Sequence, residues 1–464
     1  MLFNSLAFLG FLPFFMAAYW PTRGRARLWV MLAGSLVFYA WWDWRFCFLL
    51  LFSALVDYSL GILLENERDD GMRRRLIALS VAVNLGLLGF FKYFNFFVRS
   101  FAPRETFDVI KIVLPVGISF YVFKTMSYTI DVYRRTQTAE RNLLRFTTFV
   151  VFFPELVAGP IVRASRLLPQ LARDHRFSYE RMVSGLTLIA SGYVRKVAIA
   201  DSIAPLVDFR FAHPELHNSW SLLIGVYLYA FQIYCDFSGY SSIAIGLARI
   251  LGFDFGINFD RPYFSRSFGE FWSRWHISLS SWLRDYLYVA LGGNRGGRWR
   301  TYRNLMITML LGGLWHGASW TFVFWGALHG TYLVVERMLG RRHPERSEGS
   351  PARRRSFDWL RMTLRVFLVF NLTCFAWVFF RAHSFSNAWQ VLTGIASMQG
   401  GLADIENRWR VLKCMLMIAV MLAFEMLPKR EPAPSTRLAF VAACAWVVLI
   451  FGTFSGNNFI YFQF

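Results

Sequence analysis

The stretch LLGGLWHGASWTFVFWGALHG, residues 310–330, is almost entirely apolar and yet carries two histidines, His316 and His329. An apolar run of about 20 residues is typical of a helix that crosses a lipid bilayer. Ionisable groups at membrane depth are costly, and they usually face a bundle interior or a cavity. The stretch therefore predicts a membrane-embedded helical fold that holds a polar site.

The whole chain shares this apolar character. Of its 464 residues, 56% are hydrophobic and 19% are aromatic, whereas ordinary soluble domains contain about 45–50% apolar residues. The formal net charge of +21 comes from short Lys and Arg blocks between apolar runs, as the positive-inside rule describes. These blocks form no basic face on a soluble fold, so nucleic acid is excluded as the expected partner. The five cysteines show neither metal-ligand spacing nor a disulfide framework, so no metal site is expected.

Apolar segments recur along the chain, and they predict an all-α, polytopic integral membrane protein. We expect one domain over residues 1–464 with about eleven crossings of the bilayer. Gly, Pro and charged residues interrupt several middle segments, which favours re-entrant or partly buried helices there. The candidate segments lie near residues 3–20, 28–42, 46–64, 76–98, 112–130, 144–162, 182–200, 219–235, 303–320, 320–338, 359–380, 411–427 and 437–454.

Charged loops at both ends of the chain predict its orientation. Arg-rich loops follow the first and third candidate helices, at residues 23–27 and 68–75. Near the other end, residues 341–355 read RRHPERSEGSPARRR, and a second basic loop contains Lys429, Arg430 and Arg437. Short basic loops stay on the cytoplasmic side, so both termini are expected on the outer side of the membrane.

The segment from residue 254 to 302 departs from the pattern of simple apolar rods. It mixes Trp, Tyr and Arg at helical spacing and has Gly-rich ends. This mixture is typical of amphipathic helices that lie at the membrane interface. Two interpretations stay open: an interfacial collar that only holds the bundle, or helices that aim one face into it.

Three histidines are candidates for chemistry. His316 lies among glycines, whose small size allows close helix approach. An imidazole there is either a general base for a hydroxyl proton or a buried histidine that is hydrogen-bonded to a neighbouring helix. His276, in FWSRWHISLSSWLRDY, is a second candidate site residue or an interfacial histidine without a chemical role. His329 follows His316 by more than three helical turns, so it is expected to be a buried structural histidine.

Four charged residues also lie inside apolar runs, namely Lys124, Asp131, Glu155 and Asp236. Each must be paired, hydrogen-bonded or facing water to be tolerated there, and a structural ion pair is expected for Lys124 with an acidic partner. The histidines and the buried charges leave two further classes of protein as alternatives, a haem protein and a transporter or channel. Paired histidines can hold a b-type haem, and intramembrane charge can line the path of a transporter or channel.

Several long motifs in this order resemble the membrane-bound O-acyltransferase (MBOAT) family, within the branch of bacterial alginate O-acetyltransferase inner-membrane subunits. The resemblance covers most of residues 110–335, the expected catalytic core, and the chain's last six residues. The motifs that carry it are VGISFYVFKTMSYTIDVYR, FPELVAGPIVR, YCDFSGYSSIAIGLARILGF, FWSRWHISLSSWLRDYLYVALGGNR, YRNLMITMLLGGLWHGASWTFVFWGALHG and FIYFQF.

The resemblance implies helices around a central funnel or tunnel. His316 matches the family's intramembrane histidine and His276 its second polar position, whereas His329 and Asp236 have weaker claims to the site. An acyl group would arrive as a thioester, most simply acetyl-coenzyme A, and no bound cofactor is implied. Arg295 and Arg298 are candidates for holding the donor's phosphates.

The resemblance also implies a periplasmic acetyltransferase partner and a polysaccharide acceptor outside the cytoplasm. Within FIYFQF, Tyr461 carries a hydroxyl that either relays the acyl group or belongs to an aromatic anchor at the outer interface. Transfer of D-alanyl groups to teichoic acid-type polymers is the alternative within the family.

Overall fold

A computed structural model describes residues 1–101, 112–156, 159–340, 355–402, 405–427 and 432–454, without the side chains of residues 355–359. Over these ranges every regular element is helical, which confirms the predicted all-α fold class. The charged loop predicted at residues 341–355 lies outside the described residues except for the backbone of Arg355, and Tyr461 lies outside them too.

Twenty α-helices occur in the described ranges, and most of them follow the predicted segments. Short π-helical turns occur at Gly89–Tyr93, Val194–Ala200 and Leu283–Tyr288. The α-helices are α1 (Leu6–Tyr19), α2 (Gly24–Asp43), α3 (Arg45–Asn66), α4 (Asp70–Leu88), α5 (Phe94–Phe101), α6 (Ile118–Tyr133), α7 (Leu143–Val151), α8 (Phe153–Leu156), α9 (Ala164–Leu171), α10 (Tyr179–Tyr193), α11 (Asp201–Ala212), α12 (Ser219–Ile250), α13 (Phe268–Arg274), α14 (Ile277–Trp282), α15 (Arg298–His316), α16 (Trp320–Met338), α17 (Arg355–Arg381), α18 (Phe385–Ala396), α19 (Arg408–Met426) and α20 (Pro434–Phe451).

Six helical segments in the described ranges are long and apolar enough to cross a membrane. The chain is therefore a polytopic membrane protein. Helices α2, α15, α16 and α19 have 19 or 20 residues but fall short in apolar character, as the start of α15, RWRTYR, illustrates. The six segments are Arg45–Asn66, Asp70–Phe101, Tyr179–Ala212, Ser219–Ile250, Leu360–Arg381 and Pro434–Phe451.

The described chain divides into two compact units. Unit 1 contains residues 1–193, 239–256 and 432–446, and unit 2 contains residues 194–238, 257–431 and 447–464. The division falls inside α12 and α20. All three candidate histidines belong to unit 2.

Unit 1 satisfies its buried charges internally. The ammonium group of Lys124 on α6 forms an ion pair with Glu155 on α8, which confirms the structural pair expected for Lys124. The carboxylate of Asp57 on α3 accepts hydrogen bonds from Ser80 Oγ and Asn84 Nδ2, each at 2.7 Å. Such bonds offset the desolvation of polar groups in an apolar interior.

In unit 2, helices α15 and α16 pack very closely because glycines face each other's backbone. A Cβ atom on Gly313 would lie 2.2 Å from the carbonyl oxygen of Phe322, and one on Gly326 would lie 2.3 Å from that of Met309. Any larger residue would push the helices apart. The close approach expected from the glycines beside His316 is confirmed.

The segment from residue 254 to 302 forms short helices rather than long amphipathic ones. Helices α13 and α14 have seven and six residues, and the π-helical turn Leu283–Tyr288 follows. Aromatic side chains of this segment, including Phe271, Trp275 and Trp282, are buried. The segment therefore contributes to the interior of unit 2, beyond what a simple collar requires.

Candidate active site

His316 is the last residue of α15, and its side chain is buried among aromatic rings. The ring centroids of Trp315 and Trp325 each lie 5.1 Å from that of His316, and the centroid of Phe380 lies 5.4 Å away. All three contacts are edge-to-face, a favourable geometry for aromatic pairs. The imidazole is thereby held in one orientation.

His276 lies immediately before α14 in a left-handed backbone conformation, with a φ of +42°. A non-glycine residue adopts this conformation at a cost, and such outliers cluster at functional sites. Asn258 stabilises the turn: its carbonyl oxygen accepts from Ile277 N at 2.9 Å, and its Oδ1 accepts from Ser278 Oγ at 2.9 Å. Asn258 was not among the predicted site residues, because nothing in its local sequence distinguishes it.

The two histidines meet in unit 2. The centroids of the His276 and His316 rings are 6.4 Å apart, and Trp315 contacts both rings. Phe237 of α12 packs edge-on against His276 at 4.5 Å. Residues forty positions apart in the sequence therefore form one buried imidazole pair.

His329 lies closer to this pair than its sequence position suggests. Its ring is 4.8 Å from that of Trp325, the same ring that contacts His316. Trp272 and Phe271 also border it, at 5.1 and 5.9 Å. Neither ring nitrogen of His329 has a hydrogen-bond partner among the described residues, although the side chain is fully buried. It belongs to the same aromatic cluster, one ring removed from His316.

Asp236 is buried on α12 and forms an ion pair with Lys196, whose ammonium group also binds Asp201. The next residue, Phe237, contacts His276, so Asp236 connects to the histidine pair through its neighbour. Sequence analysis did not select Lys196 or Asp201. A signal was present, because both charged residues interrupt the apolar segment IASGYVRKVAIAD.

Arg295 and Arg298 are exposed near the start of α15. His316 ends the same helix, 18 residues after Arg298, which corresponds to about 27 Å along the axis at a rise of about 1.5 Å per residue. The two arginines therefore lie at the opposite end of α15 from the imidazole pair. No group of three or more His, Cys, Asp or Glu side chains in the described ranges is arranged to hold a metal ion.

The fold and site define a polytopic, all-helical membrane protein with two neighbouring buried imidazoles. Residues 133–379, slightly more than half of the chain, match the membrane-bound O-acyltransferase family (MBOAT). The chain belongs to this family and is an O-acyltransferase. The matched range includes all three candidate histidines.

Curated relatives agree with this assignment. The chain is 46% identical over 411 residues to a probable alginate O-acetylase, AlgI, of Azotobacter vinelandii, covering 86% of this chain and 78% of that protein. It is 34% identical over 435 residues to the peptidoglycan O-acetyltransferase of Helicobacter pylori, with 86% and 80% coverage. A teichoic acid D-alanyltransferase of Streptococcus thermophilus is 31% identical over 238 residues, with only 47% and 56% coverage.

Proposed function

We propose that this enzyme transfers an acetyl group from cytoplasmic acetyl-coenzyme A to hydroxyl groups of a polysaccharide outside the cytoplasm. An alginate-like exopolysaccharide is the preferred acceptor, and a cell-wall glycan is the second. The similarity to acetylases extends over 86% of the chain, whereas that to the D-alanyltransferase covers about half of it. This difference favours acetyl over D-alanyl transfer, and the family assignment favours transfer over haem binding or transport.

The proposal places the enzyme in the bacterial inner membrane with both termini periplasmic. About eleven crossings would surround a central funnel that joins the two sides. The Arg-rich loops support this orientation, because short basic loops favour the cytoplasmic side of a membrane. A periplasmic partner protein would pass the acetyl group to the final acceptor.

The observation that carries the proposed mechanism is the buried pair of His316 and His276, with ring centroids 6.4 Å apart. His316 acts as general base and removes the proton from the acceptor hydroxyl as its oxygen attacks the thioester carbonyl. A C–O bond forms, the C–S bond breaks, and the proton passes from the imidazolium to the departing coenzyme A thiolate. Holding both substrates beside one fixed imidazole contributes much of the rate.

His276 serves as a hydrogen-bond donor in this proposal. It lies outside the six described segments that are long and apolar enough to cross a membrane, and complete burial lowers its pKa to about 3. The ring is therefore neutral near pH 7, and one nitrogen carries a proton. A neutral N–H group aimed at the thioester oxygen stabilises the negative charge that develops there.

Membranes from cells that produce the polysaccharide test the function directly. Acetyl-coenzyme A labelled in the acetyl group is supplied on the cytoplasmic side, and ester-bound label is measured on the polysaccharide. Label on the glycan that depends on this protein supports the proposal. Label transfer only from a D-alanyl donor, or solute flux without any acyl donor, would favour the competing functions.

Arg295 and Arg298 provide a first prediction for donor binding. Changing both to Ala is expected to raise the KM for acetyl-coenzyme A about tenfold, because two charge-assisted contacts to phosphate are lost. The kcat should change less than twofold, since these side chains lie far from the imidazoles. Arg408→Ala, at another exposed position in unit 2, is the control. An unchanged KM in the double variant would remove this binding role.

Two roles remain in the proposal for Tyr461: an acyl relay to the periplasmic partner, or an aromatic anchor. The variant Tyr461→Phe separates them, because phenylalanine keeps the ring and removes the only hydroxyl in FIYFQF. Full acetylation of the polysaccharide would assign the anchor. Loss of glycan acetylation with normal membrane insertion would assign the relay.

A further inference from the structure

The π-helical turn Val194–Ala200 contacts several separate parts of unit 2. It lies between α10 and α11, and such wide turns are rare and frequently found at functional sites. The carbonyl oxygen of Val197 accepts a hydrogen bond from Thr453 N at 3.1 Å, which attaches the segment after α20. The neighbouring residues Arg195 and Lys196 bind carboxylates from other helices.

Lys196 holds two buried carboxylates. Its Nζ lies 2.7 Å from Asp201 Oδ1 and 2.7 Å from Asp236 Oδ1. The three residues are 1%, 3% and 3% exposed, respectively. Buried charges of this kind are strongly dependent on their partners, and removal of one partner is much more disruptive than at the surface. Lys196 therefore ties the start of α11 to α12.

A second set of contacts, from Arg195 through Glu425 of α19, holds the same turn of α12. The guanidinium group of Arg195 lies 3.5 Å from Glu425 Oε1, and Tyr234 donates a hydrogen bond from its hydroxyl to that oxygen at 2.6 Å. Tyr234 and Asp236 are two residues apart on α12. Adjacent residues of the π-helical turn thus hold one short stretch of α12, directly and through α19.

This stretch of α12 borders the histidine site. Phe237 packs edge-on against His276 with a centroid distance of 4.5 Å, and the ring of Tyr234 lies 6.1 Å from that of Trp275. Phe259 contacts both Phe237 and Trp275, at 5.1 Å in each case. The position of His276 therefore depends on where α12 presents these two rings.

We propose that Lys196 and Arg195 are positioning residues for His276, acting through Asp236 and Glu425 on residues 234–237 of α12. This inference rests on the proposed acetyl transfer, in which His276 must lie correctly relative to His316. Neither basic residue need touch the substrate. Their contribution is to hold residues 234–237 of α12, against which the imidazole of His276 packs.

Lys196→Met tests the proposal because it removes the ammonium group and keeps the length of the side chain. The expected result is a fall in kcat of at least about tenfold, with the KM for acetyl-coenzyme A within twofold of wild type. Misplacement of a reacting group by about 1 Å lowers a rate by about 100-fold. The kcat is therefore sensitive to the position of residues 234–237 of α12. Donor binding does not involve these residues.

A matched control separates positioning from general loss of stability. Arg210 on α11 is equally buried in the same unit, and its guanidinium group binds Ser221 and the backbone carbonyls of Leu206 and Glu406. Arg210→Met should lower the Tm comparably and leave the kcat per folded protein within twofold. An equal loss of kcat in both variants would overturn the proposal.

A double variant distinguishes two roles of Asp236: holding α12 in place through its ion pair with Lys196, or taking part directly in acetyl transfer. Lys196→Met leaves two buried carboxylates, Asp201 and Asp236, without the Lys196 ammonium group. Adding Asp236→Asn removes the carboxylate on α12, so at least fivefold recovery of kcat over Lys196→Met alone is expected. A double variant no more active than Lys196→Met would overturn the positioning role.

If Lys196→Met does not accumulate, Glu425→Ala and Glu425→Gln replace it, because Gln keeps an oxygen that accepts a hydrogen bond from Tyr234. Lower kcat in Glu425→Ala with near-normal kcat in Glu425→Gln supports the proposal, and equal kcat values contradict it.

The wild-type enzyme is assayed beside these variants. Active wild type with an unaffected Lys196→Met variant would refute only the positioning role. Absence of acetyl transfer by the wild type would instead refute the proposed function.

Discussion

Replacing His316 with Ala is expected to lower acetyl transfer from acetyl-coenzyme A by about 10²–10⁴-fold, the range that a positioned general base contributes. The physical reason is that alanine has no group that accepts a proton at the end of α15, where His316 is fixed by Trp315, Trp325 and Phe380. The measurement is the initial rate of label transfer from labelled donor in membranes that contain equal amounts of enzyme.

His217→Ala is the matched control, because His217 belongs to the same unit and its ring contacts Phe209, which is not one of the three rings that fix His316. Its rate should stay within twofold of wild type. A normally inserted His316→Ala variant with full activity would refute the assignment of the general base.

The second large effect is expected at His276, and its size depends on the replacement. His276→Leu should lower the kcat by about 10²–10³-fold, as removal of one oxyanion donor does in other enzymes. His276→Asn should retain more activity, because Asn keeps an N–H donor and tolerates a positive φ. The backbone φ of +42° makes this tolerance important.

The kcat and Tm of both His276 variants are compared with wild type. A higher kcat for Asn than for Leu, at similar Tm, supports a hydrogen-bond donor at this position. Equal activity of the Leu variant and the wild type would leave His276 with a packing role only.

The sequence predicted the all-α fold class and selected both His316 and His276 as candidates, because apolar runs and the histidines within or beside them are local signals. The pairing itself was not visible, since it depends on how α14 and α15 pack. His329 illustrates the same limit. Its sequence distance from His316 would be more than three turns on one continuous helix, but the chain breaks between α15 and α16. The broad ring of Trp325 therefore contacts both imidazoles.

Helix boundaries were predicted less well where small or rigid residues occur. The candidate segment 219–235 continues to Ile250 as α12, because small residues such as Gly246 serve close packing rather than helix termination. A Cβ on Gly246 would lie 2.6 Å from the carbonyl oxygen of Gly185 on α10. Conversely, the candidate segment 144–162 breaks after Val151, where Phe152 is non-helical, and Pro154 lies in the first turn of the next helix, α8, where its missing N–H is tolerated.

Lys196 and Asp201 were missed, and Asp236 was selected without its partner, for a different reason. Asp201 lies five residues away, but Asp236 lies forty residues away on another helix, and only the folded chain brings it near. A single charged residue in an apolar segment indicates that a partner exists. It does not indicate which one.

The contact between α15 and α16 limits how this protein can be altered. Positions 313 and 326 face carbonyl oxygens at 2.2–2.3 Å from any added Cβ, so even alanine would force a shift of the main chain. His316 follows Gly313 within one helical turn and would move with it. Attempts to redesign this enzyme for new acyl groups should therefore leave the glycine positions untouched and vary the surrounding aromatic rings instead.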